Sequence, residues 1–115
     1  MKFISAQLEI LQNNKELEEF HDDIEYIENF LEENKIIIPE EFHLTFSNHV
    51  IILLQRIKNN ECVVYEDSEN SEITQESLEN AKKLLKPLFE KYQINESKTE
   101  EMLLAIYFGI GGSNL

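Results

Sequence analysis

His49 and Arg56 are the residues of this chain whose types and spacing could do chemistry. They lie in Phe46-Ser47-Asn48-His49-Val50-Ile51-Ile52-Leu53-Leu54-Gln55-Arg56, where a histidine enters a strongly apolar run and an arginine follows seven residues later. Seven residues are two helical turns, so the two side chains would share nearly one face, about 10.5 Å apart along the axis. A neutral imidazole is nucleophilic near pH 7. An arginine on the same stripe could pair with an anionic group brought to that ring. The bland alternative is a histidine satisfied on a mostly apolar face.

Apolar periodicity defines the elements that must position this stripe. Ile4, Leu8 and Leu11 predict a short first helix ended by Asn13-Asn14. Leu17, Phe20, Ile24, Ile27 and Leu31 then recur three and four apart, with Glu18, Glu19, Asp22, Glu25, Glu28, Glu32 and Glu33 on the remaining sides, which predicts one helix with a single dry stripe, N-capped by Asn14. Ile36-Ile37-Ile38 before Pro39 reads as an extended connector plugged into the core. From Glu40 to Lys58 the positions Phe42, Phe46, Val50, Leu53 and Ile57, widened by Ile51, Ile52 and Leu54, predict a helix that is central or at an interface. The turn-rich tract Asp67-Ser68-Glu69-Asn70-Ser71-Glu72 is read as a solvated acidic loop, 66–72, since it lacks the central glycine and regular oxygen ligands of an EF-hand. Thr74 can cap a helix bearing Leu78, Ala81, Leu84, Leu85, Leu88 and Phe89, and Pro87 inside it predicts a kink or break near Lys86. Ser97-Lys98-Thr99-Glu100 has the form of a capping box. The closing helix is apolar almost all round from Met102 to Phe108, so it is expected in the core or in a dimer seam, with the glycines of Gly109-Ile110-Gly111-Gly112 terminating it.

Composition narrows the function classes. A chain of 115 residues suits one domain, 1–115, and 42% hydrophobic residues with only three Gly and two Pro argue for a folded, mostly helical protein. Twenty-three acidic against ten basic side chains give a formal net charge of −13, which repels phosphate backbones and anionic lipid. Direct nucleic-acid or membrane binding is therefore not expected. The run Val50–Leu54 is far shorter than the roughly 20 residues of a membrane span, and the start, Met1-Lys2-Phe3-Ile4 followed by Gln7 and Glu9, does not read as a signal peptide. A cytoplasmic protein is expected.

Other candidate groups carry less. Cys62 is the single cysteine, so no intrachain disulfide or CxxC pair can form, and it is read as a small, partly buried apolar side chain. His43, beside Glu40 and Glu41, falls on a different face from His49 and is expected exposed. His21 and Glu25 are i, i+4 neighbours near Asp22 and Asp23, too few ligands for zinc. No nucleophile has both a base and an orienting partner, so neither an enzyme nor a metal or other cofactor is expected.

The His49 stripe resembles the PTS regulation domain (PRD) family. That family's first half carries a helix reading roughly Leu-Thr-Asp-His, a hydrophobic run, then Arg and a short basic turn. Here those positions read Phe46-Ser47-Asn48-His49, Val50 to Leu54, and Arg56-Ile57-Lys58-Asn59-Asn60-Glu61. Leu78 to Tyr92 resembles the next amphipathic helix, and Glu101-Met102-Leu103-Leu104-Ala105-Ile106-Tyr107 the closing one, so the likeness covers about residues 15–110. It implies an all-α bundle of about five helices, a single PRD standing alone, with His49 as phosphoacceptor and Asn48 and Arg56 as motif or phosphate-pairing residues. It further implies phosphate arriving from HPr or an EIIB-type phosphocarrier, a homodimer, and transcriptional or metabolic regulation through a partner protein. In multidomain regulators the module is attached to a DNA- or RNA-binding domain, for which this chain has no room. Two departures stand out. Asn48 replaces the usual aspartate and cannot hold the imidazole by charge. The place of the second acceptor histidine holds Phe108 counting from Glu101, or Tyr107 counting from Glu100, which excludes a two-histidine switch. The alternative is a PRD-like structural dimer or adaptor that no longer responds to phosphorylation.

Overall fold

A computed structural model of the protein describes residues 3–10, 14–62 and 73–112. Their elements run α1 (Phe3–Ile10), α2 (Asn14–Glu19), α3 (His21–Glu33), a 3₁₀ turn (Glu40–Phe42), α4 (His43–Lys58), α5 (Gln75–Lys91) and α6 (Lys98–Gly112). No strand occurs among the described residues, as an all-α bundle requires; the short α2 accounts for the helix beyond the five expected. The Asn13 turn, the Asn14 side chain, Val63-Val64-Tyr65 and the acidic tract 66–72 lie outside the described residues.

The apolar stripes form one core. Phe46, Val50, Leu53, Leu54 and Ile57 of α4 have no exposed surface, and Ile4, Leu8, Phe20, Ile24, Ile27, Leu84, Leu85 and Phe89 close around them. Each such side chain contributes about 1.5–3 kcal/mol relative to leaving it in water, which fixes α4 as the central element. Ile38 of the connector is buried while Ile37 points outward, 69% exposed. The α6 helix does meet water, at Ile106, with Met102 and Leu103 half-buried.

The stripe from Leu17 to Leu31 is divided between two helices rather than one. Phe20 leaves helical geometry (φ −105°, ψ 22°), although hydrogen bonds from its N–H to Glu16 and from Ile24 N–H to Phe20 carry the winding across. Neither glycine nor proline marks the interruption. Glu28, assigned by type to the wet side, is only 4% exposed: its carboxylate accepts from the Ser5 amide (3.3 Å) and hydroxyl (3.2 Å), satisfying a free donor in the first turn of α1. Asp23, also buried, accepts from Lys91 Nζ (2.6 Å) and Tyr92 Oη (2.5 Å), and so ties α3 to the end of α5.

Helix ends follow one pattern. After α3, α4 and α5 the chain turns through Lys35, Asn60 and Gln93, each at φ near 55°. In each turn the next N–H reaches back to the helix, from Ile36 to Leu31, Glu61 to Arg56 and Ile94 to Phe89, which satisfies carbonyls left free by the helix end. Thr74 caps α5 as expected, its Oγ1 accepting from Ser77 N–H at 3.1 Å. The glycines do not act as the expected stop: Gly109 to Gly112 are helical, and none has a positive φ. Glycine permits the left-handed cap but does not impose it.

The break predicted at Pro87 does not occur, because α5 runs through it from Gln75 to Lys91. Proline offers no N–H to the Lys83 carbonyl and crowds it. The Tyr26 hydroxyl of α3 supplies a donor at this point, 2.8 Å from Leu84 O and 3.5 Å from Lys83 O. Tyr26→Phe is expected to cost about 1 kcal/mol, carried by the 2.8 Å bond to Leu84 O, and that cost should persist in a Pro87→Ala background, because Leu84 O is not the carbonyl that proline leaves without a donor. Urea unfolding of wild type and the three variants measures the coupling. Among the described residues no helix is long and apolar enough to cross a membrane.

Candidate functional site

The two-turn stripe on α4 is matched by a two-turn stripe on α6. Arg56 sits in the last turn of α4, and its Nε and one terminal nitrogen donate to the two carboxylate oxygens of Glu100, both at 2.7 Å. Two turns back along α4 the His49 ring lies against Tyr107, centroids 5.2 Å apart and planes tilted by 35°. Glu100 and Tyr107 are themselves seven residues apart. The helices thus pass in opposite directions and meet in two rungs, His49 on Tyr107 and Arg56 on Glu100. Behind the first rung stands Phe46, edge-on to Tyr107 at 5.2 Å.

Burial sets the character of each rung. Glu100 has no exposed surface and the Arg56 side chain is 21% exposed, so the pair is largely withdrawn from solvent and held bidentately, the strongest geometry open to a guanidinium and a carboxylate. His49 is half-buried, yet its Nε2 is fully buried with no hydrogen-bond partner. Asn48, its neighbour, is exposed. The imidazole is held below its ordinary pKa of 6.5, first by burial and then by the Arg56 charge, with the Glu100 carboxylate opposing. Burial likewise raises the Tyr107 phenol. Both rings are therefore neutral at pH 7.

The sign of the His49 effect on stability follows. The unfolded imidazole binds a proton more readily than the folded one, so His49 contributes stability that is complete above 6.5 and is lost as pH falls through the folded midpoint. NMR titration is expected to place the His49 midpoint below 6.5. His49→Gln should remove the part of the acid destabilisation that falls between that midpoint and 6.5.

The structure thus keeps His49 and Arg56 on one face and leaves Asn48 outside the cluster. Glu100 and Tyr107 complete it. In the Ser-x-x-Glu pattern Ser97 Oγ accepts from Glu100 N–H at 3.3 Å, and the Glu100 carboxylate is held by Arg56. Of the two registers open for the missing second histidine, the one starting at Glu100 faces His49; Phe108 is 5% exposed in the core. The signal for both residues was their seven-residue spacing, equal to that of His49 and Arg56.

The remaining candidates separate from this face. His43 is not exposed as expected: Nε2 lies 2.8 Å from the Ile38 carbonyl and the ring stacks on Phe3 at 3.9 Å, so it clips the connector to α4 and α1. Against a carbonyl the nitrogen must be the donor. His21, Asp22 and Glu25 do bring ligand atoms within 4.8 Å of one another, but all three are exposed and Asp22 lies 3.4 Å from His21 Nδ1. Cys62 is partly buried against the core, as read.

Searches of curated proteins and of solved structures returned no match to this chain. A family model, described as the PRD domain, matches residues 24–110. That span holds α3 to α6 almost complete, and with it both rungs of the His49 face. The chain belongs to the PRD family, whose domains are regulatory modules of the phosphotransferase system.

Proposed function

We propose that this chain is a phosphorylation-responsive interaction module. His49 receives a phosphoryl group from HPr or an EIIB-type phosphocarrier, and the change passes to a partner protein that controls transcription or metabolism. The observation that carries this is the two-rung face: a neutral, half-buried imidazole two turns from a guanidinium on one helix. Such an imidazole has its lone pair available at pH 7, and the cation stands where it can take a share of the new charge. A homodimer belongs to the proposal. Ile52 on α4 is 38% exposed and Ile106 on α6 36%, and these apolar side chains are material for a seam between copies. A net charge of −13 favours a protein partner over a nucleic acid, and a cytoplasmic setting follows from the phosphocarriers invoked.

The test is incubation with phosphoenolpyruvate, enzyme I and HPr, followed by assay of acid-labile phosphate. Incorporation that disappears in His49→Ala is the expected result. No incorporation, or incorporation that persists in His49→Ala, refutes the assignment. A second reading has an observation in its favour: the Nε2 of His49 is buried with no partner, as in an adaptor whose switch has decayed. It predicts that His49→Gln leaves partner binding unchanged whether or not the phosphocarriers are present.

A further inference from the structure

We infer that Glu100 stands in for the phosphate: in the unmodified protein it holds Arg56 and keeps α6 closed over His49, and phosphorylation of His49 takes Arg56 from it and opens the first turn of α6. The inference rests on the proposed phosphorylation of His49.

Three features of the face carry it. First, the Nε2 of His49 is buried and unpartnered, and the ring is covered by Tyr107. Phosphoryl transfer needs the attacking and leaving atoms roughly in line, so a donor lines up with Nε2 only in the fraction of molecules in which α6 has lifted, and the new phosphate then holds that open form. Second, Arg56, two turns along α4 from His49, is already bidentate to the buried Glu100 carboxylate. Side chains on a helix lean toward its N-terminus, so Arg56 reaches back along α4 toward His49. Third, Glu100 and Tyr107 lie on one stripe of α6, so opening one rung loosens the other.

The step balances. The Nε2 lone pair of an imidazole protonated on Nδ1 attacks phosphorus. The P–N bond of a phosphohistidine on the donor protein, its ring protonated on the other nitrogen, breaks; the donor leaves as neutral imidazole with that electron pair, and the His49 ring releases its Nδ1 proton to water. The new group brings up to two negative charges. It attracts Arg56 and repels the Glu100 carboxylate, and a buried carboxylate that has lost its guanidinium is driven toward water. The first turn of α6 therefore swings outward, and the flank of α4 beneath it becomes available to a partner.

The experiment uses phosphoramidate, a small phosphoryl donor that needs no docking surface, with phosphohistidine read by ³¹P NMR. Wild type, His49→Ala, Glu100→Gln and Asp23→Asn are compared. Asp23→Asn loosens the tie between α3 and α5 and serves as the control for general loosening. His49-dependent phosphorylation is expected at least fivefold faster in Glu100→Gln than in wild type, with Asp23→Asn close to wild type. In phosphorylated wild type, hydrogen exchange over residues 98–104 should quicken. Equal rates in wild type and Glu100→Gln, or the same acceleration in Asp23→Asn, overturn the latch while leaving His49 an acceptor. No His49-dependent signal in any folded variant refutes the underlying phosphorylation instead. Should Glu100→Gln fail to fold, the wild-type exchange measurement decides alone, and unchanged exchange at 98–104 on phosphorylation overturns the inference.

Discussion

Arg56→Ala is expected to destabilise the protein by about 3–5 kcal/mol, the cost of removing one partner from a largely buried ion pair. The Glu100 carboxylate has no exposed surface and receives two hydrogen bonds of 2.7 Å from the guanidinium. Deleting the arginine leaves that charge buried without its counter-charge, which costs more than the pair gains on forming. With total stabilities of small domains near 5–15 kcal/mol, the loss would be a large fraction of the whole. The Arg56 side chain is 21% exposed, so solvent screening places the effect toward the lower end. The double variant Arg56→Met/Glu100→Leu should recover most of the loss, because it removes the desolvation cost together with the attraction. Urea midpoints at constant slope read both effects. A single-variant loss below about 1 kcal/mol would identify the pair as an ordinary surface ion pair.

How far the face was legible in the sequence follows from the range of each interaction. The α4 stripe announces itself because a helix repeats every 3.6 residues and its neighbours in space are neighbours in sequence. Thr74 was readable for the same reason, its bond spanning three residues. Glu100 was not: the Ser-x-x-Glu context offered a complete local explanation, whereas Arg56, which holds its carboxylate, lies 44 residues away. Glu28, placed by type on the wet side of α3, tells the same story, as does the burial of Asp23, since burying a carboxylate is costly without a partner. Those partners are on α5 and α1, with Lys91 68 residues from Asp23 and Ser5 23 residues from Glu28. The continuity of α5 through Pro87 was hidden because proline's local effect is readable, whereas the packing and the Tyr26 hydroxyl that hold α5 there come from another helix.

The same distinction between local and distant partners makes Phe46 the position where packing and site are most closely linked. It has no exposed surface, lies with its ring 6.0 Å from Phe3 and 5.2 Å from Tyr107, and so holds both α1 and α6 to α4. Phe46→Ala is expected to cost about 3–5 kcal/mol, the transfer term of the lost ring plus the cavity left behind. Phe46→Leu, which keeps most of the volume, should cost less, about 1.5 kcal/mol. The loss should also be directional. The ties of Asp23 to Lys91 and Tyr92, between α3 and α5, do not involve this ring. Amide exchange should therefore quicken in α1 and α6 before α3 and α5. With Tyr107 no longer braced, water reaches His49 Nε2, and the largest cause of the lowered imidazole pKa is removed. The His49 midpoint in Phe46→Ala is accordingly expected to climb back toward 6.5 while the protein is still folded. Uniform quickening of all helices with an unmoved midpoint would mean that Phe46 supports the core as a whole and that Tyr107 does not depend on it for its place over His49.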